Sequence, residues 1–175
     1  MDISKYDSTL NNAMFLTKVD NIFVLLYSSI MGRNLNRVKH RITDEIFEKY
    51  DKIVKDLIDN KQIQMFGELN VKTSEITNID DNNDDLVVTV KLVARYLNYI
   101  TDENHNFISG NKDTREEHEL LLKLRKLKDA EKLEASRHCP TCGSLMDISN
   151  NGECSYCGSI FNTEDYDYIL IDISE

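Results

Sequence analysis

The side chains best placed to do chemistry are four cysteines near one end of the 175-residue chain. Cys139 and Cys142 form one C-x-x-C pair and Cys154 and Cys157 a second, with eleven residues between the pairs. Each pair is followed by a glycine, Gly143 or Gly158, which lets the backbone turn and aim N–H groups at the sulfurs. Two such knuckles supply four soft thiolates in a tetrahedral array, the donor set that suits zinc. No ligand position is left open, so one structural Zn2+ is expected. Two disulfides would call for an export signal, and a redox C-x-x-C would be single and sit at a strand-to-helix junction. His138 could replace Cys139, but four cysteines leave it beside the metal or at the surface. A module of this size cannot bury a sufficient core. Structural zinc supplies roughly 10–16 kcal/mol of apparent binding energy, which becomes folding energy.

Other candidate groups are basic or lie on an inward-reading strand face. One basic cluster is Arg33, Arg37, Lys39, His40 and Arg41, and another is Lys123, Arg125, Lys126 and Lys128. Both read either as solvated faces or as the landing site of an anionic or amphipathic partner. Each basic residue near an anionic membrane adds about 1 kcal/mol, and the net charge of −10 opposes that gain. A protein partner is therefore the better fit, an amphipathic or lipid-like ligand the next, and any membrane contact is weak. Nucleic acid is excluded as a partner, because phosphates need Lys and Arg. From Cys139 to Glu175 there are seven acids and neither Lys nor Arg. On the inward-reading face the polar groups are Tyr96, Asn98 and His118, a poor set for general acid–base work. A binding module is expected rather than an enzyme. The competing reading is an isomerase or dehydratase using Tyr96 and His118.

The elements that must carry these groups follow from periodicity. A hydrophobic fraction of 41% is enough for a core, and the charged fraction of 30% suits a soluble domain. No purely apolar stretch approaches the roughly 20 residues of a membrane span. The opening MDISKYDSTL has no apolar signal region, so a cytoplasmic protein is expected, peripheral at a membrane if it meets one. Leu10, Met14, Phe15, Val19, Ile22, Phe23, Leu26 and Ile30 make one helical stripe over 10–31, capped by Ser8 or Asn11 and ended by Gly32 and Asn34. A short basic helix is expected at 35–40. A third starts at Thr43, with Ile46, Phe47, Tyr50, Ile53, Val54 and Leu57 on one side.

Beyond Lys61 the period changes to two. Strands are expected at 66–79, 86–100, 115–127 and 166–173. The run at 80–85 reads as a turn and 101–114 as a loop. Leu86, Val88, Val90, Leu92, Ala94, Tyr96 and Ile100 share one face, as do Leu120, Leu122 and Leu124. In the last strand Ile169, Ile171 and Ile173 alternate with Tyr168, Leu170 and Asp172. Helices first and strands afterwards indicate an α+β fold with an antiparallel sheet. The strands ending near Lys128 and starting near Tyr166 should pair, making the cysteine segment an insertion in a hairpin.

The stretch VDNIFVLLYSSIMGRNLNRVKHRITDEIFEKYDKIVKDL, with Val19, Phe23, Tyr27, Asn34, Leu35, Thr43, Asp44, Phe47 and Tyr50 at matching places, resembles a known family. It is similar to the C-terminal domain of subunit 44 of the mitochondrial inner-membrane import translocase, and more so to that domain's bacterial relatives. Some bacterial members carry a zinc ribbon before the last strand, matched by Cys139, Pro140, Cys142, Gly143, Gly152, Cys154, Tyr156, Cys157 and Gly158. The resemblance covers roughly 15–173. It implies a nuclear transport factor 2-like cone, helices on a curved antiparallel sheet around a pocket, and a role in membrane-associated transport or scaffolding. The expected division is 8–128 plus 166–175 for the α+β domain and 136–162 for the zinc ribbon. The acidic tail departs from the family pattern.

Overall fold

The computed structural model describes residues 1–128, 139, 142, 144, 154–158 and 167–175. Helix α1 spans Asn12–Met31 and α2 spans Asp44–Asp59. Strands β1 (Gln62–Asp81), β2 (Asp85–Asp102), β3 (Phe107–Leu127) and β4 (Ile169–Ser174) follow. They form one antiparallel sheet in the order β1-β2-β3-β4, with both helices packed on one face. This is the expected α+β architecture.

Helix α1 starts where the Asn11 side chain accepts a hydrogen bond from the Met14 N–H at 2.9 Å, satisfying a donor the helix itself leaves open. Its stripe of Phe15, Val19, Ile22, Phe23, Leu26 and Ile30 is buried against the sheet. The left-handed residue at its end is Arg33, at φ 52°, rather than Gly32 or Asn34. With 20 residues and only Lys18 and Asp20 as charges, α1 has the length and composition of a membrane-crossing helix. Shorter apolar runs had concealed this, because polar Asn, Ser and Thr interrupt them without adding charge. In this fold its apolar face is part of the core.

The basic stretch after α1 is helical, as expected, but as two short 3-10 helices, Leu35–Arg37 and Lys39–Arg41, rather than one continuous helix. Their i to i+3 bonds place Leu35, Val38 and Ile42 in the core. Thr43 precedes α2 but makes no side-chain cap, and its N–H bonds instead to the Leu170 carbonyl at 3.1 Å. On α2, Ile46, Val54 and Leu57 are buried and Phe47 and Tyr50 pack at the margin, whereas Ile53 is exposed.

The sheet curls because one-residue bulges interrupt β1 between Gly67 and Asn70, Val71 and Thr73, and Ile76 and Asn78. Strand β2 buries Leu86, Val88, Val90, Leu92, Ala94 and Tyr96 in alternation. A further irregularity past Tyr96 breaks the phase, so Thr101 is buried and Ile100 is only half-buried. The expected loop at 101–114 is mostly strand. Phe107–Asn111 pairs back onto 98–101, and residues 112–115 form a four-residue bulge before Glu116 meets Tyr96. The Asn111 side chain holds that bulge by accepting from the Asp113 and Thr114 N–H groups.

Strand β4 pairs with β3 from Arg125–Ile169 to Leu121–Ser174. The register slips at Ile171, so Leu170 and Ile173 both face the core while Ile171 and Asp172 do not. Strict alternation of Ile169, Ile171 and Ile173 therefore fails, and Tyr168 and Ile169 are both buried.

Two buried carboxylates lock the start of β4. Asp167 meets Lys18 of α1 at 2.6 Å and Arg41 at 2.7 Å, and accepts the Tyr168 N–H at 2.8 Å. Asp7 meets Lys126 of β3 at 2.7 Å, accepts both groups of Thr9, and takes the Tyr168 hydroxyl at 3.2 Å. The Tyr168 ring lies edge-on to Phe15 at 4.9 Å, with the Lys126 ammonium 5.5 Å from its centroid. Burial alone would raise both carboxyls. Lys126 and Thr9 override it at Asp7 and bring that group down to about 2. Lys18, the Tyr168 N–H and Arg41 do the same for Asp167, holding it below its usual range. A carboxyl depressed in the folded state stabilises it above the unfolded pKa of about 3.9 and loses that effect as pH falls further. Asp7 alone contributes about 2 kcal/mol in this way. Urea unfolding should therefore give a flat stability between pH 7 and 5, then a steep fall toward pH 2. In Asp7→Asn, stability at pH 7 should be lower and the acid slope shallower.

Candidate metal centre

The chain leaves the sheet after Leu127 and returns at Asp167, and the four cysteines lie between. Their sulfurs lie within 4.8 Å of one another. Cys139 Sγ is 3.6 Å from Cys157 Sγ, and Cys142 Sγ is 3.7 Å from Cys154 Sγ. A disulfide would need about 2.05 Å. Four thiolates around zinc at about 2.3 Å would sit about 3.8 Å apart. Two of the separations match that value and all lie within 4.8 Å, so the four sulfurs could hold one metal ion, and none of the four is disulfide-bonded.

Local backbone supports the arrangement. Gly158 adopts φ 69°, a conformation open to glycine, and its N–H bonds to the Cys154 carbonyl at 2.8 Å. The Cys139 N–H bonds to the Ser144 carbonyl at 2.8 Å. The Ser144 hydroxyl touches Cys142 Sγ at 2.9 Å and Cys154 Sγ at 3.4 Å. That hydroxyl, with the N–H groups of Cys157 and Tyr156, holds the Cys154 thiol below its ordinary pKa, toward the thiolate that a metal binds. Cys139 and Cys154 are buried, and Cys142 and Cys157 face solvent. Tyr156, between the second pair, is 77% exposed. Ser144 was not a candidate in the sequence reading, although a serine two residues beyond C-x-x-C was visible there. His138, Pro140, Gly143 and Gly152 lie outside the described residues.

The basic candidates do not form one patch. Arg33 pairs with Glu103 at 3.0 Å, Arg37 is exposed, and Arg41 is committed to Asp167. Lys123 lies 3.5 Å from Asp172, while Arg125 is half-buried on β3 opposite Ile169. Lys126 holds Asp7, and Lys128 pairs with Asp81. Much of the positive charge that looked available in the sequence is thus matched by the chain's own acids.

Tyr96 and His118 do come together. Their rings stack 4.3 Å apart at 7°, and His118 Nδ1 bonds to Glu175. Tyr27 and Phe66 pack on Tyr96 with centroids at 5.7 and 5.4 Å. Burial pushes the Tyr96 hydroxyl up to about 12, against the hydrogen bond it receives from Tyr27. Burial also raises Tyr27 and Tyr50. Asn98 accepts a bond from Gln64 at 2.8 Å. In the sequence Tyr27 stands out only in the family resemblance and Tyr50 only on the apolar side of α2. The Tyr27 hydroxyl on α1 bonds to that of Tyr96 on β2.

A family model for the Tim44-like domain matches residues 1–131. No curated protein matches the chain. The match spans both helices and the first three strands and ends before Cys139. Domains of this family are membrane-associated binding modules connected with transport, and are generally non-catalytic. With 131 of 175 residues matched and the helix–sheet order in place, the chain belongs to the Tim44-like domain family.

Proposed function

We propose that this chain is a non-enzymatic binding or scaffold domain in membrane-associated protein transport, carrying one structural Zn2+ in a ribbon inserted between β3 and β4. The family match over both helices and most of the sheet carries the binding role. The ribbon is held by Cys139, Cys142, Cys154 and Cys157, whose spacing fits a tetrahedral metal. Zinc would join two knuckles that have little core of their own and so supply their folding energy. The α+β domain comprises 8–128 and 166–175, and the ribbon 136–162. The protein is cytoplasmic and peripheral at the membrane.

The partner is a protein or an amphipathic, lipid-like ligand with an anionic part. Of the basic candidates, the exposed Arg37 and its neighbour Arg33 are better placed to meet it than Arg41, which is paired with the buried Asp167. Lys123 and Arg125 offer a second face on β3. A small-molecule isomerase or dehydratase is the second reading. It draws on the Tyr96–His118 stack and the Tyr27 hydroxyl bonded to Tyr96, which place a base beside two acids of high pKa.

Two measurements test the first reading. Elemental analysis of the purified chain should find about one zinc per chain, with sulfur-only coordination by X-ray absorption. Protein without zinc, and with four titratable thiols, contradicts the metal assignment. Reversal of charge at Arg33 and Arg37, compared with reversal at Lys123 and Arg125, should weaken flotation with anionic vesicles at low ionic strength for one pair and spare the other. If neither pair changes flotation or partner capture, the basic groups are solvated surface and the partner assignment falls.

A further inference from the structure

The four sulfurs are not equivalent. Cys139 and Cys154 are buried, while Cys142 and Cys157 face solvent. Each solvent-facing sulfur has a buried sulfur of the other knuckle close by. Cys157 lies 3.6 Å from Cys139, and Cys142 lies 3.7 Å from Cys154. A small oxidant can reach only the outer sulfur of each pair, and the inner one is poised to capture the product.

The geometry points to a peroxide-reactive modification site built on the metal centre, with cross-knuckle disulfides Cys139–Cys157 and Cys142–Cys154 as its products. The inference rests on the zinc reading above. In the first step the Cys157 thiolate attacks one oxygen of hydrogen peroxide. The O–O bond breaks, hydroxide leaves, and Cys157 carries a sulfenic acid. The Cys139 thiolate then attacks the Cys157 sulfur. An S–S bond forms and the S–OH bond breaks, releasing a second hydroxide. Two thiolates have lost two electrons and one peroxide has gained them. Cys142 and Cys154 consume a second peroxide in the same way. Closing from 3.6 Å to the about 2.05 Å of a disulfide needs a shift of about 1.5 Å. Each disulfide removes two of the four sulfurs available to the metal, so oxidation and metal loss are one event.

Ser144 makes the two limbs distinguishable. Its hydroxyl lies 2.9 Å from Cys142 Sγ and 3.4 Å from Cys154 Sγ. A donated hydrogen bond withdraws charge from a thiolate and slows its attack. Ser144→Ala should therefore speed oxidation of the Cys142 limb and leave the Cys157 limb unchanged. The sheet should persist throughout, because Asp7 and Asp167 hold the base of the segment independently of the sulfurs.

The test uses the full zinc-loaded chain and hydrogen peroxide. Release of zinc to a chromophoric chelator, the thiol count and circular dichroism are followed together. One zinc and four thiols per chain should be lost in step, with the sheet signal unchanged and zinc uptake restored by a dithiol reductant. Proteolysis at Asp147 and Glu153 separates the two knuckles in sequence. After oxidation they should stay covalently joined until reduced, and Ser144→Ala should release zinc faster than the native chain. Knuckles that fall apart after cleavage indicate disulfides within each C-x-x-C pair and overturn the proposal, as does zinc retained while thiols are lost, or an unchanged rate in Ser144→Ala. A chain that neither contains nor takes up zinc before peroxide is added fails the earlier reading instead.

Discussion

Two carboxylates buried at the start of β4 tie both ends of the cysteine-bearing segment to the helix–sheet core. Asp167 and Asp7 are 6% and 8% exposed, and an ionised carboxylate that deep is tolerable only when paired. Each finds its cations on other elements, Asp167 on α1 and the Arg41 turn, Asp7 on β3. Tyr168 joins the two through its N–H and its hydroxyl. The last residues before the chain departs and the first after it returns are thereby fixed to the same spot. Lys126 stands on one side of the gap and Asp167 and Tyr168 on the other. None of the four cysteines belongs to the core cluster of the helices and sheet, and under the proposed zinc reading the metal would supply their folding energy.

The same economy shapes the sheet. Its three long strands would project well past two helices of 20 and 16 residues if they ran flat. Bulges in β1 and the four-residue bulge in β3 bend them, so that Phe66, Tyr96 and His118 close over the end of α1 instead of facing solvent. Gly110 marks the tightest approach. It has φ +101°, and a Cβ there would lie 2.5 Å from the Asn98 carbonyl oxygen. Where the strands bend, tyrosine hydroxyls gather. Tyr27 from α1 and Tyr96 from β2 bond to each other, which satisfies polar atoms that burial would otherwise make costly.

The cysteine cluster was legible because two C-x-x-C pairs at this spacing bring four sulfurs together. The helices were legible from the stripe of Phe15 to Ile30 and the start at Thr43. What pattern reading missed depended on partners distant in sequence. Asp7 and Asp167 look like ordinary surface acids until Lys126, Lys18 and Arg41 are placed beside them. Arg41 and Lys126 looked like members of two basic patches for the same reason. Residues 101–114 carry the Asn, Asp and Gly of a loop, yet pairing with β2 draws 107–111 into the sheet and Asn111 absorbs the remainder as a bulge. The alternation Ile169, Ile171, Ile173 was read in one phase, but the slip at Ile171 exchanges the faces, and Leu170 takes the inner position beside Ile42. Period-two reasoning has no means of locating a single extra residue.

The central claim is that the clamp, and not the metal, holds β4 onto the sheet. It is tested most directly by deleting 129–166 and joining Lys128 to Asp167 through an Asn-Gly turn, then recording circular dichroism and urea unfolding at pH 7. The account predicts an unchanged sheet signal and a single cooperative transition, lost when Asp167 is also replaced by alanine. A deletion variant that is unfolded at pH 7, or one that unfolds no differently with Asp167→Ala, would contradict it.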